Sequence, residues 1–270
     1  MPPRRRRALP PASAATGEDT SSPHPRAVFL GPSLVAGVAG VASVAWRWGA
    51  RRRARREMAL HRVLVELLLN ALSAGDATTE RHSRRVAALA DALHTTFEPG
   101  HAEHAMLRIG ALLHDMGKID DRFFLIVHSR ERLTPAQRAE MTGHPAESAR
   151  ILEPLEPFHA GITAAVRSHH ERWDGQGYPN GITGADIPLA SRVITAADVF
   201  DAVTQPRGYK TGRSFEEGIE ELRRGSGSIF DPEVVERVQR PEILTRWRAI
   251  YEAGRIEENG VTHAAVPAVA

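Results

Sequence analysis

Cysteine is absent from the 270 residues. That excludes a disulfide framework and any thiolate metal site, so a metal in this chain would have to be held by His, Asp or Glu. Lysine is nearly absent: 33 of the 35 basic residues are Arg, and the two lysines are Lys118 and Lys210. There is also no run with the two-residue alternation of a half-buried strand and no internal repeat, which points to an all-α domain. What the chain has in quantity is histidine, 13 residues of it.

Charge is unevenly placed. Residues 1–56 carry eleven Arg against Glu18 and Asp19, a net +9, whereas residues 57–270 carry a net −7. The sequence pI of 9.4 is therefore a property of the N-terminus, and no nucleic-acid polymer is expected as a partner.

Residues 1–26 are rich in Arg, Pro, Ser and Ala with little to bury, and are expected to be disordered. Residues 27–46, AVFLGPSLVAGVAGVASVAW, hold no charge. As a helix such a run extends about 30 Å, the depth of a bilayer core. With Trp46 and Trp48 at the interface, residues 27–48 are expected to form one transmembrane helix. The Arg-rich segment 49–59 would stay in the cytoplasm, as would the rest of the chain, on the inner membrane. A cleaved signal peptide fits less well, because arginines crowd both flanks.

From residue 57 the pattern is helical. Val86, Leu89, Ala90, Leu93 and Phe97 fall on one helix face. Thr134-Pro135 with Gln137, and Ser214 with Glu217, read as helix starts with capping boxes; Asp231-Pro232 opens another helix. A short helix and a tail are expected over 244–270. The helix over 57–74 is a candidate for pairing two copies into a homodimer.

Within this apolar pattern, polar ligand types recur. His82 lies on the apolar face of its helix, and His114-Asp115 ends the apolar run MLRIGALL. Asp198 follows RVITAA, with Asp201 three residues on; His144 and the pair His169-His170 complete the set. Any one of these alone reads better as a hydrogen-bonded core histidine or a paired acid. Together they read better as a metal centre, because burying carboxylates without a cation is costly. Oxygen and imidazole donors suit Fe or Mn, with Zn, Co and Ni as alternatives. His101 and His104 sit at a helix start and are expected to be solvated.

The series RHSRRVAALA, LHDMGK, GHP, HHERWDGQGYP, ADVFDAVT, RGYK and SGSIFDPEVV, in that order, resembles the HD-GYP proteins, a branch of the HD metal-dependent phosphohydrolases. The resemblance covers about residues 60–243. It implies an HD-type helical bundle, two divalent metal ions, and hydrolysis of cyclic di-GMP to linear pGpG or GMP. It implies that Asp115 bridges the ions and is catalytic. His82, His114 and Asp198 would serve one ion, and His144, His169 and His170 the other. Lys118, Arg207 and Lys210 would face the phosphates, and Tyr178 would stiffen the loop or touch the ligand. A diguanylate cyclase or another signalling protein is an implied partner. Three departures stand out. Thr78 occupies a position where some members have a metal-binding Glu, which favours two ions over three. The segment after Lys118 differs from the family pattern, and Gly208 replaces a usual proline. Two other functions compete: a domain that binds nucleotide or protein without turnover, and a hydrolase of another cyclic dinucleotide such as cyclic GMP-AMP.

Overall fold

The structure is a computed structural model that describes residues 63–73, 76–127, 133–206 and 211–264, with isolated positions from 46 to 59. The chain divides into Met1–Met58 and Ala59–Ala270. The expected transmembrane segment falls largely outside the described residues, as do Arg207 and Lys210. Among the described residues no helix is long and apolar enough to cross a membrane.

The second unit is helical, as expected. Its elements are α1 (63–73), α2 (Ala77–His94), α3 (His101–Leu113), α4 (Asp121–Val127), α5 (Pro135–Met141), α6 (His144–Leu152), α7 (Ile162–Arg167), α8 (Leu189–Thr204), α9 (Phe215–Arg224), α10 (Pro232–Val238) and α11 (Pro241–Ala264). Among the described residues, extended pairing is limited to one isolated bridge between Ser226 and Phe230.

The termini of the helices follow from their caps. Asp76 accepts from the N–H groups of Thr78 and Thr79 and starts α2. The capping boxes of Thr134 with Gln137 and Ser214 with Glu217 start α5 and α9 as expected, each worth on the order of 1 kcal/mol. The core builds on the apolar faces of α2 and α8. Val86, Leu89, Ala90 and Leu93 pack with Val193, Ile194, Ala197 and Phe200, while Phe97 is partly buried against them. A second cluster joins Val65, Leu69 and Leu72 of α1 to Leu113, Met116, Leu152, Ile162 and Val166.

One sequence expectation changes here. The boundary drawn at 243 cuts through a packed helix: α11 starts at Pro241 and runs 24 residues. Ile243 and Trp247 of α11 belong to the main core, and the Trp247 indole N–H donates to the Leu89 carbonyl at 3.0 Å. The short-helix reading overlooked that Ile243, Trp247, Ile250 and Gly254 recur at helical spacing.

Candidate metal centre

The residues singled out in the sequence come from five helices or their ends, yet meet at one point. His82 is in the second turn of α2 and Asp198 in α8, while His114-Asp115 ends α3. His144 opens α6, and His169-His170 follow α7. Among the described residues two groups have donor atoms close enough to hold an ion: His82, His114 and Asp115 form one, and His144, His169 and His170 the other.

Asp115 lies between them. Its Oδ2 is 3.5 Å from Nε2 of His114 and 3.9 Å from Nε2 of His82. Its Oδ1 is 3.2 Å from Nε2 of His144 and 3.9 Å from Nε2 of His169. Thus one carboxylate offers a separate oxygen to each group. Asp198 Oδ1 reaches His82 Nε2 at 3.0 Å.

The imidazoles are oriented from behind. Nδ1 of His114 meets the carbonyl of Ala111 at 2.8 Å, Nδ1 of His144 that of Met141 at 2.6 Å, and Nδ1 of His169 that of Val166 at 2.6 Å. In each case the ring reaches back to the carbonyl three residues earlier. A carbonyl can only accept, so Nδ1 carries the proton and Nε2 keeps its lone pair for the interior. Nδ1 of His82 instead meets Oδ2 of Asp201 at 2.6 Å.

Electrostatics points the same way. Burial pushes the imidazoles of His114 and His169 below their ordinary range. Burial also takes His170 down to about 3. These rings are neutral at pH 7, the form that binds a metal. Burial alone would raise the Asp115 carboxyl; the Lys118 ammonium beside it overcomes this and holds it well below the usual range. The result is a buried anion facing neutral nitrogen lone pairs. Nε2 of His114, His144 and His169 and Oδ1 of Asp115 are buried without a hydrogen-bond partner. Buried polar atoms are seldom left so, and four converging on one point fit divalent cations in the donor set that Fe or Mn accepts.

Lys118 lies beside the bridging carboxylate. Its Nζ donates to Asp115 Oδ2 at 2.6 Å, from the 3₁₀ turn Met116–Ile119. The HHERWDGQGYP segment folds into a loop beside the centre. The Tyr178 ring packs against His170, centroids 5.0 Å apart, and the Tyr178 N–H donates to the His170 carbonyl. Burial, with Asp198 and Asp115 nearby, raises the Tyr178 hydroxyl and keeps it protonated. Gly175 has φ +78°, whereas Gly177 is needed for close approach: a Cβ there would fall 2.3 Å from the Arg172 nitrogen.

Sequence reading missed two anchors. Glu171, buried within the loop, accepts the N–H groups of Asn180 at 2.7 Å and Gly181 at 3.0 Å and closes it. Arg85 pairs with Asp201 behind His82. The second contact has no local signal, since Arg85 and Asp201 are 116 positions apart. Of the two histidines expected to be solvated, His101 is exposed, whereas His104 is partly buried, stacked on the buried His94 and 2.9 Å from Asp91.

Residues 66–234, which contain both donor groups, match the HD domain family. The chain belongs to the HD domain family. The HD-GYP resemblance is borne out by this match together with curated relatives named as cyclic-dinucleotide phosphodiesterases. A Vibrio cholerae protein named 3′3′-cGAMP-specific phosphodiesterase 2 is 35 % identical over 176 residues, which is 64 % of this chain and 33 % of that protein. A Thermotoga maritima cyclic di-GMP phosphodiesterase is 33 % identical over 209 residues, covering 74 % of this chain and 55 % of that protein. The HD chain thus spans between a third and about half of the length of these relatives. The crystal structure of a cyclic GMP-AMP specific phosphodiesterase from Vibrio cholerae shares the fold. It superposes with a TM-score of 0.54 at 24 % identity, covering 70 % of this chain and 52 % of that one.

Proposed function

We propose that this HD domain is a metal-dependent phosphodiesterase that hydrolyses cyclic di-GMP to linear pGpG or GMP. The observation that carries this reading is the placement of Asp115, whose two oxygens face two separate groups of imidazoles. His82, His114 and Asp198 would hold one divalent ion, His144, His169 and His170 the other, and Asp115 both. Bound there, two such ions supply a nucleophile from water at neutral pH and offset charge on the phosphoryl oxygens.

The chain's own residues do the rest. Neutral imidazoles oriented through Nδ1 keep the donor geometry fixed before substrate arrives. Lys118, about one-fifth exposed and bonded to Asp115, can turn its ammonium to a phosphoryl oxygen. The protonated Tyr178 hydroxyl can donate a hydrogen bond to the same ligand.

A second reading has support of its own. A relative named for 3′3′-cGAMP matches at 35 % identity, beside 33 % for one named for cyclic di-GMP. Both substrates offer the same phosphodiester to the centre, so the choice between them falls to residues that contact the bases. The test supplies the full chain, purified and loaded anaerobically with Mn(II) or Fe(II), with equal amounts of both dinucleotides and follows them by chromatography. Metal-dependent loss of cyclic di-GMP ahead of 3′3′-cGAMP is the expected result. The reverse order favours the second substrate. A folded, metal-loaded chain that consumes neither would point to a binding module or to a hydrolase of a different cyclic dinucleotide.

A further inference from the structure

Behind His82 lies a second layer of charged residues. Asp201 is 1 % exposed. It follows Asp198 by three positions on α8, so the two carboxylates stand about one turn apart on the same side of the helix. Together they grip one ring: Asp198 Oδ1 is 3.0 Å from Nε2 of His82, and Asp201 Oδ2 is 2.6 Å from Nδ1. His114, His144 and His169 are each held at Nδ1 by a neutral carbonyl. His82 differs from these three in being held by an ionised group.

Asp201 is itself held by Arg85, which lies one turn after His82 on α2. Arg85 Nε donates to Oδ1 at 2.7 Å and Nη2 to Oδ2 at 3.1 Å, a forked pair buried at both ends. The guanidinium offsets the buried carboxylate, and the fork fixes its plane. A carboxylate on the Nδ1 side also makes Nε2 a stronger donor and stops the ring from turning.

The C-terminal helix closes this layer. A Cβ on Gly254 of α11 would lie 2.5 Å from Arg85 Cδ and 3.1 Å from Gln205 Nε2. Arg85 cannot swing away without breaking its fork, so only glycine fits. Gln205 in turn donates to the Tyr251 carbonyl of α11 at 3.3 Å. Helix α11 lies beyond the stretch 66–234 that matches the family.

We propose that Asp201 and Arg85 are positioning residues that set the direction and donor strength of His82, and that α11, through Gly254, holds Arg85 in place for this task. The inference rests on His82 being a metal ligand. It makes the C-terminal helix part of the metal centre's support.

The test uses the full chain and two variants, Asp201→Asn and Gly254→Ala. Mn(II) binding is read from the EPR signal of the free ion, and folding from cooperative thermal unfolding. Asp201→Asn keeps the side-chain volume but cannot serve both the His82 N–H and the Arg85 fork. Its affinity at one of two Mn(II) sites should fall about 10- to 100-fold, the usual loss when a ligand's outer partner is removed. The other site should be unchanged, and kcat should fall while KM for the dinucleotide stays put. Gly254→Ala should shift the same site in the same direction. A folded Asp201→Asn chain that binds both ions as tightly as the parent overturns the proposal. If that variant fails to fold, Gly254→Ala decides by the same criterion. A parent chain that binds no Mn(II) would instead sink the metal reading, and this inference with it.

Discussion

Replacing Asp115 by Asn lowers turnover by at least about a thousandfold, more than the 10- to 100-fold typical of an outer partner of a ligand. The side chain keeps its size, so packing is preserved. What is lost is the charge and one of two acceptor oxygens, in the residue that faces both donor groups. Lys118 loses its anionic partner at 2.6 Å, and the neutral imidazoles are left to hold cations without the bridging anion. Metal content should drop with activity. The depressed Asp115 carboxyl adds stability to the metal-free fold at neutral pH, so the metal-free variant should be somewhat less stable than the metal-free parent yet still unfold cooperatively. That combination separates a ligand from a structural residue. Turnover within tenfold of the parent would remove Asp115 from the bridging position.

The second large effect concerns the fold. Trp247→Ala should cost about 3–5 kcal/mol. Trp247 is fully buried against Phe200 of α8, ring centroids 4.8 Å apart. Its N–H bond to the Leu89 carbonyl ties α11 to α2, and truncation leaves that carbonyl without its donor. In a domain of this size the loss corresponds to a fall in Tm of roughly 10 °C. Thermal unfolding followed by circular dichroism reads it directly. A melting temperature within about 2 °C of the parent would mean that α11 is an appendage rather than a core helix.

How much of this was legible in the sequence depends on what kind of contact is asked for. The helices announced themselves through local rules: caps at Thr134 and Ser214, a proline after Asp231, and an apolar face through Val86, Leu89 and Leu93. The donors were visible for a different reason. A histidine or an acid at an apolar helical position breaks a pattern, and His82, His114, Asp115 and Asp198 each break one. Their gathering at one point rested on resemblance, because spacing along the chain does not say which helix ends meet.

The supporting layer was invisible on both counts. Arg85 follows another arginine in a chain full of them, and its partner is 116 positions away. Glu171 reads as one more charge in a turn, although both its oxygens are spent on holding that turn closed. Lys118 reads from the resemblance as a phosphate contact, and its bond to Asp115, a residue three positions earlier, is a contact that the resemblance does not name.

The account turns on two cations sharing Asp115. Anomalous diffraction at the manganese edge from crystals of the Mn(II)-loaded protein tests it most directly. Two peaks are predicted, one bounded by His82, His114 and Asp198 and one by His144, His169 and His170, with an Asp115 oxygen on each. No peak in this cluster, or a single one that leaves either group of imidazoles without an ion, would contradict it.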